Sequence, residues 1–193
     1  MRLEGGQGFA RTAGGGQAKW LNGGKIIEAS TFLVEARMTE VHSHVAQNTV
    51  QRERLRALIN RLSDEDLRRP VSAGWTIAGV LAHVAFWDQR VLVLLERWER
   101  GGPGSAPRPF NRDDVDWIND AAKGLCLALP PRVAAQLALS TAEAVDRKVE
   151  ALPADLLTTN VAAGNPINLN RAEHRHQHLD EIERTLVGEG HVR

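Results

Sequence analysis

GWTIAGVLAHVAFWDQRVLVLLERW, residues 74–98, decides the fold. Thr76 suits a helix N-cap, since its hydroxyl can accept from a backbone amide one turn on, and Trp75 before it can pack on Val80 and fix the entry angle. With His83 at zero and about 100° per residue, Val80, Val84, Trp87, Val91, Leu94 and Trp98 fall between about 20° and 100°, and Ile77 and Leu95 near 120°. His83 therefore borders the apolar stripe. Alone, a histidine in that position most often hydrogen-bonds a neighbour and nothing more.

A second stretch changes its weight. NRAEHRHQHLDEIERTL, residues 170–186, places Asn170 as N-cap and Glu173 in capping-box register, which predicts a helix from about Arg171. His174 and His178, four apart, lie about 40° from each other on one face and can converge on one metal ion, while Ile182 carries that face toward the core. His176 points roughly 160° to 200° away, to solvent.

These two segments resemble the DinB/YfiT-like metalloenzymes. GWTIAGVLAHVAFWD is similar to the family's tryptophan-containing entry to its second helix, and EHRHQHLDEI to its last helix, over about residues 38–187. The combination carries the resemblance, because H-x-x-x-H alone is a weak pattern. The resemblance implies a four-helix bundle with one metal-binding histidine on helix two, His83, and a pair on the last helix, His174 and His178.

Composition narrows the class. The chain has 193 residues, 42% of them hydrophobic and 25% charged, as expected for one globular domain with a sizeable core. Lys+Arg and Asp+Glu number 24 each, so no global charge invites nucleic acid or an anionic membrane. A lone Cys126 rules out an internal disulfide framework and suits a reducing interior, so a cytoplasmic location is expected. The longest apolar run, residues 91–95, falls short of the ~20 residues of a membrane span, and no membrane partner is expected.

Taken in order, residues 1–37 hold two glycine clusters and no sustained period. They read as a loose tail or a mis-assigned start, with Ile26, Ile27, Phe32, Leu33 and Val34 as the case for a docking arm. Residues 38–193 form the expected single domain. Helix one runs over about residues 39–62 on Val41, Val45, Leu55, Ile59 and Leu62, interrupted by Asn48 and Arg52; Asn48 could itself be its N-cap. His42 and His44 share no face and read as surface residues. Ser63 caps a short acidic turn that ends at Pro70. After Arg100, GGPGSAPRPF opens a long crossover between helices two and three. The crossover contains a short amphipathic helix with Val115, Trp117 and Ile118 inward, and its Asp113, Asp114 and Asp116 suit a helix N-terminus. Helix three follows Pro130 and Pro131, with Val133, Leu137, Leu139, Ala144, Val145, Val149 and Leu152 available to the core. The fold class is thus all-α, a four-helix bundle with a crossover between helices two and three. Phe86, Leu92 and Val93, off the main stripe of helix two, make a homodimer the expected assembly.

Three neutral imidazoles suit Zn²⁺, Ni²⁺ or Fe²⁺, and three protein ligands leave a position open for water or substrate, as catalytic centres do. The resemblance implies the reaction: its relatives include metal-dependent thiol transferases and a thiol-dependent maleylpyruvate isomerase. A low-molecular-weight thiol acting on a small-molecule substrate is therefore expected, with metal-dependent hydrolysis as the other chemistry. The competing expectation is a non-enzymatic, stress-related protein that binds a metal or small ligand. Asp88, Glu173, Asp180 and Glu181 are the acids near enough in sequence to orient an imidazole, and sequence does not choose among them.

Overall fold

The computed structural model describes residues 43–102, 105 and 111–188. The tail, His42 and most of the glycine- and proline-rich crossover lie outside the described residues. Every regular element described is a helix: α1 over residues 43–61, α2 Asp64–Arg68, α3 Ile77–Gly101, α4 Arg112–Ala128, α5 Pro131–Glu150, α6 Ala154–Ala162 and α7 Ala172–Gly188.

The local signals worked where the chemistry was local. Ser63 accepts from the Asp66 amide while the Asp66 carboxylate accepts from Ser63 N, a closed capping box on α2. Thr76 accepts from Gly79 N at the start of α3. Asn111 and Asp114 form a second capping box on α4, which accounts for one of its N-terminal acids without a ligand.

Helix α3 is the axis of the molecule, packed by α5 along its length and by α2, α4 and α7 toward its start. Its residues 77–85 are buried on every side, so the stripe read from periodicity holds only from Asp88 onward. By length and composition α3 could cross a membrane, but 72% of its most apolar window is buried inside the protein. Gly79 permits the close approach of α4, since a Cβ there would lie 2.8 Å from Leu127 Cδ2.

The α3–α5 seam corrects the expected face of helix three. Ala134, Ala135, Ala138 and Ala142 are each 0% exposed, while Val133 and Leu137 stand 41% and 39% exposed. Small residues at successive turns let the two axes come close, and that proximity outweighs the larger side chains on the neighbouring face. Trp117 is likewise outward at 61% exposure, whereas Val115 and Ile118 are half-buried as expected. The expected linker before the last helix contains α6, whose buried Asn160 donates to Ile167 O and accepts from Ile167 N. Its short TT-containing sequence carries little helical signal.

Asn48 is not the cap of α1, which runs through it; it caps α7. Its buried Oδ1 accepts from the amides of Arg171 and Ala172, both at 2.8 Å, and its Nδ2 donates to Leu169 O. Asn170 also accepts from Ala172 N, but its own amide donates to Asn168, and Glu173 is exposed, so the expected capping box gives way to a cap supplied across the core. The start of α7, and hence the position of its histidines, is tied to α1.

Candidate metal centre

Helix α3 presents His83 about two turns after its cap, and α7 presents His174 and His178 on its first two turns. Their ring centroids lie 4.7 to 5.3 Å apart. One nitrogen from each ring falls within 4.8 Å of the others, and His83 Nε2 is 3.3 Å from His174 Nε2. A tetrahedral centre with bonds of about 2.0–2.1 Å separates its donor atoms by roughly 3.3–3.4 Å, so this pair already stands at ligand spacing. His176 is 55% exposed in its side chain and faces Arg54 and Asp180 outside the site. His44 is half-buried in α1 and is not part of the cluster.

The donor set fits a transition metal. Burial, then the His178 and Arg171 charges, lowers the His83 pKa from 6.5 to about 4. Burial also depresses His174 well below its ordinary value, with Arg171 next in effect, and His178 more mildly, where Glu181 opposes the burial. Neutral imidazole is the ligating form. His83 Nδ1 is buried with no hydrogen-bond partner among the described residues. His178 Nδ1 lies 3.5 Å from Glu181 Oε2, close enough for electrostatic orientation but too long for a directed hydrogen bond.

What holds the cluster is a buried ionic network that sequence reading did not find. Asp88, 0% exposed, accepts from Arg171 Nε at 2.8 Å and from Arg175 Nε at 3.0 Å. Arg175, also 0% exposed, forks onto both oxygens of Asp146, which in turn accepts from Arg52 on α1. Burial alone would lower the Arg175 pKa; the carboxylates of Asp88 and Asp146 reverse this and raise it. Arg171 Nη2 stands 3.3 Å from His174 Nδ1. Of the four candidate acids, Asp88 thus reaches the cluster through Arg171 and Glu181 reaches it directly, whereas Asp180 pairs with Arg54 and Glu173 is exposed. The sequence hints of the network are Asp88, one of the four candidate acids, and the polar residues Asn48 and Arg52 on the buried side of α1.

The histidines open into a cavity of about 770 Å³ between α3, α4 and α7. Trp75 and Trp87 wall it, with ring centroids 5.6 and 6.3 Å from that of His83. Trp87 Nε1 donates to Asn119 Oδ1 and ties that wall to α4. Asp113, Asp114 and Asp116 do not line it; Asn119, Asp120 and Lys123 do. Cys126 is buried in the core, away from the cavity, and burial raises its pKa, as befits a packing residue.

The depressed imidazoles carry a stability prediction. An unfolded histidine binds a proton below about 6.5, and the folded His83 only below about 4, so between those values the unfolded state holds more protons and stability falls as pH falls. The stabilising contribution is therefore present above 6.5 and lost on acidification toward 4, on the order of 3 kcal/mol for His83 alone. Urea unfolding of chelator-treated protein is expected to show a lower midpoint at pH 5 than at pH 7.5, with a smaller difference in His83→Phe. Equal pH dependence in the two proteins would remove His83 as the cause.

The sequence model described as the DinB superfamily matches residues 47–181, a span that contains all three histidines and the ionic network. No curated protein and no solved structure matches the chain.

Proposed function

The chain belongs to the DinB superfamily, and on that footing we propose that it is a metal-dependent enzyme of the thiol-transferase type, built as a four-helix bundle from α1, α3, α5 and α7 with α4 in the crossover. One observation carries the reading: three imidazoles, kept neutral by burial, converge at the floor of a cavity large enough for a small molecule. When bound there, Zn²⁺, Ni²⁺ or Fe²⁺ would lower the pKa of a thiol or water and supply a nucleophile at neutral pH. His83, His174 and His178 are the residues that hold it. Trp75 and Trp87 shield the cavity floor from bulk water, Asp88 orients His174 through Arg171, and Glu181 is placed beside His178 to hold a proton. Phe86 and Val93, 37% and 42% exposed on α3, are the surface we assign to a homodimer, and we place the protein in the cytoplasm.

Glutathione, bacillithiol, mycothiol and cysteine, each offered with a generic electrophile, test the reaction. Metal-replete wild type is expected to accelerate consumption of at least one thiol by about tenfold or more over His83→Ala, the scale on which positioned acid–base and metal groups act. Metal-loaded wild type no faster than the variant would favour a ligand-binding protein without turnover; product formation without added thiol would favour hydrolysis.

A further inference from the structure

The cavity is lined by charges of both signs, Asp120 and Glu181 with Arg90, Lys123 and Arg171. At one end Glu181 accepts from Ser72 Oγ and lies beside His178. At the other, Arg90 stacks over Trp87, its guanidinium carbon 5.5 Å from the ring centroid, and Arg171 sits beside His174. Both arginines line the cavity. Burial, and then the Arg171 charge, lowers the pKa of Arg90, so the two cations feel each other.

Arg171 is only 4% exposed, and its charge is not fully matched. Three guanidiniums, of Arg52, Arg171 and Arg175, face two buried carboxylates, of Asp88 and Asp146. Glu53, 3.5 Å from Arg52, has a half-exposed side chain and is screened by water. Asp88 divides its oxygens between Arg171 and Arg175, so the interior cluster retains an excess positive charge, and Arg171 is its member that borders the cavity. A guanidinium carries five N–H donors; one goes to Asp88 and one to His174, which leaves three, both on Nη1 included, with no hydrogen bond to another described residue. A largely buried cation in a cluster with excess positive charge, at the wall of a cavity, favours an anion beside it.

We propose that Arg90 and Arg171 form a carboxylate subsite, and that the small-molecule substrate is an organic acid whose flat apolar body lies between Trp75 and Trp87. The planar fork of a guanidinium matches the two oxygens of a carboxylate, and the indole walls supply apolar surface for the rest of the ligand. Lys123 does not compete for this role, because it donates to Ala73 O at 2.6 Å and covers Trp75 at the cavity mouth. The inference deepens the metal-enzyme reading by naming its substrate class, yet the subsite is made of protein groups present without the metal.

Benzoate and its neutral analogue benzamide are the probes, titrated into the full chain in metal-free and cobalt-loaded forms and followed by tryptophan fluorescence and calorimetry. Benzoate is expected to bind at least tenfold more tightly than benzamide in both forms. Arg90→Gln should reduce that preference below threefold, Arg90→Lys should retain part of it, and cobalt uptake and circular dichroism should be unchanged in both variants. Equal affinity for the two probes overturns the subsite, as does a preference that appears only with cobalt and survives Arg90→Gln, which would put the anion on the metal alone. A preference in metal-free protein that takes up no cobalt would sustain the subsite and remove the metal reading.

Discussion

Arg175→Met is expected to lower the unfolding free energy by about 3–5 kcal/mol, the scale for removing one partner of a buried ion pair. The side chain is completely buried and its donors are fully placed. Nε reaches Asp88, Nη1 and Nη2 reach Asp146, and the remaining hydrogens face Asn48 O and Ala142 O at 3.4 Å. Methionine matches its stem and leaves each acid one cation, Arg171 for Asp88 and Arg52 for Asp146, but it strips the bonds from Asp88 Oδ2 and Asp146 Oδ1. The cost therefore lies in those unsatisfied buried oxygens more than in the lost packing. Arg175→Met combined with Asp146→Leu should recover part of the loss, because an apolar pair of similar volume avoids the desolvation that the ions incur. Urea unfolding of chelator-treated protein measures both variants. A loss below about 1 kcal/mol for Arg175→Met would mean that the network is hydrated in solution and contributes little.

The second large effect is on metal. About one transition-metal ion per chain is expected to bind, with His83→Ala, His174→Ala and His178→Ala each weakening affinity by at least about 100-fold. His176→Ala should leave it within about threefold, since that ring faces solvent, Arg54 and Asp180, and only the other three bring nitrogens within 4.8 Å of one another. Competition against a chromophoric chelator at pH 7.5 gives the four constants. Similar losses in all four variants would point to a site elsewhere or to nonspecific uptake. Asn48→Ala is an informative companion, because its amide caps α7 from α1 and anchors the helix that carries two of the three histidines.

The legible part of this fold follows from interactions that span a few residues. The caps at Ser63, Thr76 and Asn111 act within three positions of the amides they satisfy, and each is in place. The i, i+4 spacing of His174 and His178 sets them on one face by helix geometry alone, and the outward direction of His176 follows from the same arithmetic. His83 was found at the edge of a stripe, and that stripe did belong to a buried helix.

Misreadings arose where a partner at long sequence separation decided the outcome. Hydropathy places Val133 and Leu137 inward, yet the close α3–α5 contact selects the alanine face and leaves them at the surface; Trp117 of α4 is also at the surface. Asn48 and Arg52 looked like a break in α1 because their partners, Arg171 and Asp146, lie 123 and 94 positions away. Arg175 sits between His174 and His176 in a stretch dense with charge, with nothing local to mark it as the most deeply buried arginine among the described residues.

By itself the sequence determined the helical class, the local caps, and the three histidines that sit at compatible positions on two helices, because backbone periodicity and short-range hydrogen bonding are properties of the chain. Only the tertiary structure decided that His83 Nε2 would stand 3.3 Å from His174 Nε2, that Asp88 and not Glu173 would serve the cluster, and that Arg90 and Arg171 would share one cavity wall. These are matters of which helix faces meet, and they are settled by side-chain volume at the α3–α5 seam and by charges that must find partners once water is excluded.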